Sequence, residues 1–153
     1  MKVYLVQHGM SKSKGEDPER PLSQEGIEAS EKMALYVSQQ HVHVSSIYHS
    51  RKLRAFETAE IFARHLNCRD KVEENNSLSP NNDPAIWKER LDDGSEDIML
   101  VGHLPHLNKL SSLFLCGESD REIVSFSNSG VLCLENNGIC WVIKWMVIPQ
   151  FIG

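Results

Sequence analysis

Long apolar runs are missing from this chain. Nothing in it approaches the ~20 consecutive apolar residues that span a bilayer. The N-terminal run is only Val3 to Val6, with His8 and Lys12 close behind, which is too short for the core of a signal peptide. A membrane protein is excluded on that pattern, and a soluble, cytoplasmic protein is expected. Excess positive charge is missing as well: 16 Lys and Arg stand against 21 Asp and Glu, for a net charge of -5. That balance disfavours a general nucleic-acid binder but leaves room for a local cationic pocket. Cysteine is sparse. Cys68, Cys116, Cys133 and Cys140 are scattered, with no Cys-x-x-Cys pair and no Cys/His cluster, so a zinc ribbon or a thioredoxin-like site is not expected. Their apolar neighbours predict reduced cysteines in the core. Repeats and low-complexity tracts are absent. What remains is 41% hydrophobic residues over 153 positions, enough for one domain, residues 1–153, with a substantial core.

The apolar pattern alternates between two periods. Residues 3–6 (VYLV), 44–48 (VSSIY) and 98–101 (IMLV) are short runs of the kind that form strands buried on both faces. Between them lie helical spacings. Ser23 is a candidate N-cap for a helix over about 24–40, carried by Ile27, Met33, Ala34 and Val37. Leu53, Phe56, Ile61, Phe62 and Leu66 carry a second helix. Residues 72–84, rich in Asn and Pro, read as an edge strand and loop; Ile86, Trp87 and Leu91 predict a short helix, and 104–115 another. The last third changes to short-period segments, 131–135 and 139–147, around Asn137-Gly138, a hairpin signal. Trp141 and Trp145, four apart in the last strand, are expected on one face. This order predicts an α/β fold: a three-layer sandwich with a mostly parallel central sheet, an antiparallel C-terminal edge, and helices on both faces.

Three strand candidates end on similar segments: LVQHG (5–9), IYHS (47–50) and LVGH (100–103). Ligands of parallel sheets bind outside the carboxyl ends of the strands, where His8, His49 and His103 fall. Arg51, Lys52 and Arg54 follow at a helix N-terminus, which itself attracts anions. Imidazoles and guanidinium groups at one crevice suit a phosphoryl group: a neutral imidazole attacks phosphorus while cationic donors hold the equatorial oxygens. His41-Val42-His43 lacks a third metal ligand by spacing.

With those residues in view, the sequence resembles the histidine phosphatase superfamily, and within it the small phosphohistidine phosphatases of the SixA type. The first motif of that family, Arg-His-Gly, is matched by Gln7-His8-Gly9. Ser-x-x-x-Arg-Ala-x-x-Thr is matched by Ser50 through Arg54-Ala55 to Thr58, and the strand-Gly-His motif by Val101-Gly102-His103. Arg20-Pro21-Leu22-Ser23-Gln24-Glu25-Gly26 matches a segment carried by the SixA branch. The likeness is strong over the first 115 residues.

The resemblance implies that His8 is a nucleophile that becomes phosphorylated, that Arg54 and His103 contact the phosphoryl oxygens, and that Gln7, Gly9, Arg20 and Ser50 line the phosphate site. It implies no metal and no organic cofactor, and a phosphohistidine-containing protein of a phosphorelay or phosphotransfer system as partner, with no nucleic acid and no membrane. Gln7 departs from the family pattern. An amide donates hydrogen bonds but lacks the ionised, bidentate contact of guanidinium. Two other readings stand beside a phosphohistidine phosphatase: a small-molecule phosphomonoesterase, and a phosphate-binding module with weak or no catalysis. Phosphomonoesters need a general acid; Glu73, Glu74 and Asp83 are the carboxylates in the relevant region.

Overall fold

The computed structural model describes residues 1–153. Ten principal elements follow one another: β1 (Lys2–Gln7), α1 (Gln24–Gln39), β2 (Ser46–His49), α2 (Leu53–His65), β3 (Val72–Glu74), α3 (Ala85–Asp92), β4 (Ile98–Gly102), α4 (His106–Cys116), β5 (Val131–Asn136) and β6 (Trp141–Val147). The strands form a six-stranded sheet in the order β3-β2-β4-β1-β5-β6. β1, β2, β3 and β4 pair in parallel, and β5 and β6 add an antiparallel edge. No helix is long and apolar enough to cross a membrane.

Side-chain alternation along the strands divides the core in two. Tyr4, Val6, Met99 and Val101 face α1 and α2, where they meet Met33, Val37 and Phe62. Val3, Leu5, Ile98 and Leu100 face α3 and α4, where they meet Trp87, Leu91, Leu107 and Leu110. β1 and β4 lie in the middle of the sheet with apolar neighbours on both sides, which is why their sequences show no polar alternation. Their carboxyl ends carry His8 and His103 side by side, because Gln7 is in register with Gly102.

Four expectations need correction. Trp141 and Trp145 lie on opposite faces: Trp141 packs on Phe114 beneath α4, and Trp145 on Tyr4 on the α1 side. The pairing of β6 with β5 skips a residue between Ile143 and Trp145, and this bulge at Lys144 turns the following side chains over. The hairpin connection spans residues 137–140, so Ile139 lies in the turn, 93% exposed, and not in the strand. Asn137 Oδ1 accepts from the Ile139 and Cys140 amides, and Gly138 adopts φ 92°. Cys116 and Cys140 are exposed; only Cys68 and Cys133 lie in the core. The second strand begins at Ser46 and includes His49.

Candidate active site

The sheet brings the His8 and His103 rings to 4.8 Å between centroids, tilted by 52°. His8 Nδ1 lies 2.7 Å from Gly9 O, so this nitrogen carries the proton and donates to the carbonyl. A neutral His8 therefore keeps its lone pair on Nε2, the nitrogen able to attack. His103 Nε2 is 2.5 Å from Ser50 Oγ, which in turn accepts from Lys52 N–H at 3.3 Å. A serine hydroxyl both accepts and donates, so Ser50 can give its proton to His103 Nε2. That arrangement leaves the His103 proton on Nδ1, a buried nitrogen with no protein partner. Arg54 Nε is likewise buried without a partner. Groups of this kind gain most from an anionic oxygen.

Charge and burial act together here. Burial, with the charges of Arg54 and Arg20 adding to it, pushes His8 down to about 4 against the hydrogen bond to Gly9. Burial first, then His8, Arg54, Lys52 and His106, push His103 down to about 3. Burial and the Arg20 charge also lower the Arg54 pKa. Both imidazoles are consequently neutral at physiological pH while guanidinium charge stands beside them.

The segment 20–26 closes over the loop that follows His8. Arg20, at φ 48°, donates to Lys12 O and Ser11 Oγ. Ser23 caps α1 by accepting from Gly26 N–H, and both its N–H and its hydroxyl donate to Met10 O. A Cβ on Gly26 would stand 2.0 Å from Met10 O, so only glycine lets the loop and the helix approach. Gln7 Oε1 is buried without a partner, and the residue lines a cavity of about 810 Å³ with Met10, Glu28, Lys32 and Asn128. Gly9 N–H donates to Thr58 Oγ1 at 2.9 Å, so this amide is already engaged and is not a free donor for an oxyanion.

His49 does not join the pair. Its Nδ1 is tied to Ser50 O and its ring meets Phe56 at 5.3 Å between centroids, tilted by 58°. The carboxylates considered as acids are committed elsewhere: Glu74 pairs with Arg51 at 3.1 Å, Asp83 accepts from the Ala85 amide at the start of α3, and Glu73 is exposed on the edge strand. Sequence reasoning missed Asn128, whose Nδ2 donates to His8 O at 2.9 Å, and His106, wholly buried with neither ring nitrogen partnered. SNSG at 127–130 reads as a turn, and nothing in it points to a residue 120 positions earlier. His106 is visible only as a polar interruption of an apolar helix.

The fold is a six-stranded α/β sheet that sets two neutral histidines at the ends of neighbouring parallel strands, with Arg54 in the first turn of α2. The family described as histidine phosphatase superfamily (branch 1) matches residues 3–79, and the chain belongs to it. Among curated proteins it is 27% identical to phosphohistidine phosphatase SixA of Escherichia coli K12, over 97% of this chain and 94% of that one. Among solved structures it is similar to the protein histidine phosphatase SixA complexed with tungstate, with a TM-score of 0.85 at 24% identity, covering 98% of both chains. Phosphoglycerate mutase from Bacillus anthracis shares the fold more distantly, with a TM-score of 0.69 at 13% identity, over 94% of this chain and 91% of that one.

Proposed function

We propose that this protein is a phosphohistidine phosphatase acting on a phosphohistidine-bearing protein. The observation that carries the reading is His8 itself: its Nδ1 is tied to Gly9, its Nε2 is free, and it stands beside His103 with Arg54 acting on both. His8 Nε2 attacks phosphorus in line. The bond from phosphorus to the substrate imidazole breaks, and that imidazole leaves with the electron pair and a proton. Water then attacks phospho-His8, releasing inorganic phosphate and restoring His8. The guanidinium of Arg54, the Nδ1–H of His103 and the uncapped first turn of α2 stabilise the equatorial oxygens. Arg20 adds charge at the same place, and Ser50 orients His103.

An imidazole leaving group can be protonated before reaction and needs little acid assistance, whereas an alkoxide leaves only with help. Glu74 and Asp83 are engaged elsewhere, and no carboxylate is among the groups that shift His8 and His103, which favours the phosphoramidate. The close relation to proteins named SixA supports the same substrate class. The soluble location and the phosphorelay or phosphotransfer partner belong to this proposal.

Phosphate release is measured from a phosphohistidine-bearing domain and from a small phosphomonoester, with wild type and His8→Ala. Release from the phosphohistidine domain that disappears in His8→Ala supports the proposal. Equal background release by both proteins overturns it, as does faster turnover of the phosphomonoester.

A further inference from the structure

The peptide unit joining His8 to Gly9 is held at both ends. Its N–H, on Gly9, donates to Thr58 Oγ1 at 2.9 Å. Its carbonyl, His8 O, accepts from Asn128 Nδ2 at 2.9 Å, and more weakly from Ser129 N–H at 3.3 Å. Ser129 N–H has its shorter bond, 2.9 Å, to Gln7 O. Asn128 is therefore the principal donor to the His8 carbonyl.

A planar peptide gripped at its N–H and its C=O cannot turn about the chain axis. With Met10 O held by Ser23 on the far side of Gly9, fixing this plane limits where the intervening carbonyl, Gly9 O, can point. Gly9 O is the group that receives the proton of His8 Nδ1. The partner of one ring nitrogen decides the tautomer of a neutral imidazole and hence which nitrogen bears the lone pair. The support behind the clamp is rigid. Ser129 is wholly buried, adopts φ 64°, and exchanges a hydrogen bond with buried Ser30 at 2.8 Å. A serine holds that backbone conformation where its surroundings determine it.

We infer that Asn128 is a positioning residue for His8: by holding the His8–Gly9 peptide plane opposite Thr58, it keeps His8 in the Nδ1–H tautomer with Nε2 free to attack. The inference rests on the reading of His8 as the nucleophile. Asn128 lies in the segment before β5, outside every motif that the sequence displays.

The test compares wild type with Asn128→Asp, which keeps the shape and replaces the donor by an acceptor; Asn128→Ala, which deletes the donor; and Asn128→Gln, which retains an amide. The His8 tautomer is read from imidazole ¹⁵N shifts, assigned against His8→Ala, alongside kcat, KM and the melting temperature. The Asp and Ala variants are expected to lose roughly 10-fold in kcat with KM nearly unchanged, and to replace the Nδ1–H signature with a mixed one. Asn128→Gln recovers part of both. A pure Nδ1–H signature with kcat within two-fold of wild type in Asn128→Ala overturns the inference, whether or not the Asp variant folds. So does a loss of kcat matched by an equal loss of folded protein. If wild type shows no turnover, the phosphatase proposal fails while the tautomer signature still decides this one.

Discussion

Replacing His106 with leucine isolates the energetic consequence of a buried imidazole. His106 has no exposure, and both of its ring nitrogens lack partners. Burial pushes it down to about 4, with the Lys109 charge adding to the shift and the Asp83 charge opposing it. In the unfolded chain a histidine titrates near 6.5. Between those two values the unfolded state binds more protons than the native state, so stability rises with pH across the window and is lost as pH falls from 6.5 toward 4. Lowering pH from 7 to 5 removes about 2 kcal/mol through His106 alone, using the native value of about 4. His103, pushed down to about 3, and His8, pushed down to about 4, act in the same direction. Urea unfolding of wild type and His106→Leu at pH 7 and pH 5, at one ionic strength, separates the contributions. The variant should lose about 2 kcal/mol less than wild type between the two pH values. At pH 7 it should be as stable or more so, because a buried polar group without a partner costs about 1–3 kcal/mol. Only the difference between the two pH dependences is diagnostic, so repacking around leucine does not confuse it. Identical pH dependence in the two proteins would refute the argument that burial holds this imidazole neutral.

Three further outcomes follow from the site. His8 and His103, held low by burial and neighbouring guanidinium charge, should remain neutral at pH 5.5; their ring-proton NMR shifts should not move between pH 7.5 and 5.5, and a midpoint above 6 would contradict the electrostatic account. Gln7→Arg should raise kcat/KM for a phosphohistidine substrate by roughly 10-fold or more, since it places an ionised, bidentate donor at the residue preceding His8; an unchanged rate would mean that position 7 does not contact the phosphoryl group. Gly26→Ala should lower the melting temperature and slow turnover together, because its Cβ would drive α1 away from Met10 O, approached to 2.0 Å; an unaltered protein would show that the loop after His8 moves freely.

Much of this was legible because the residues concerned are local in sequence. A continuous apolar run bounded by a His-Gly or Gly-His pair gives a buried strand and its carboxyl end, so β1 and β4 and their histidines were readable. Ser23 ahead of a 3.6-residue pattern gives a capped helix, and α1 begins where that serine places it. Local reading failed where pairing decides. The bulge at Lys144 separates Trp141 from Trp145, and it exists only in the register of β6 against β5. The cysteines show the same limit: Cys116 and Cys140 sit among apolar letters, yet one ends a helix and the other lies in a turn, and both meet solvent. Gly9 read as a phosphate donor until its N–H was found bonded to Thr58, 49 residues away.

The sequence by itself determined the α/β architecture and which side chains stand at the strand ends, because hydrophobic period and turn chemistry act over a few residues. The tertiary structure decided which of those side chains meet and in what state. Parallel pairing of β1 with β4 sets His8 against His103 and leaves His49 to Phe56. Burial, a property of the assembled core, keeps the paired imidazoles neutral. An acceptor on α2 and a donor in the segment before β5 grip one peptide plane beside the His8 ring. Those effects depend on distance through space, which one chain of letters does not contain.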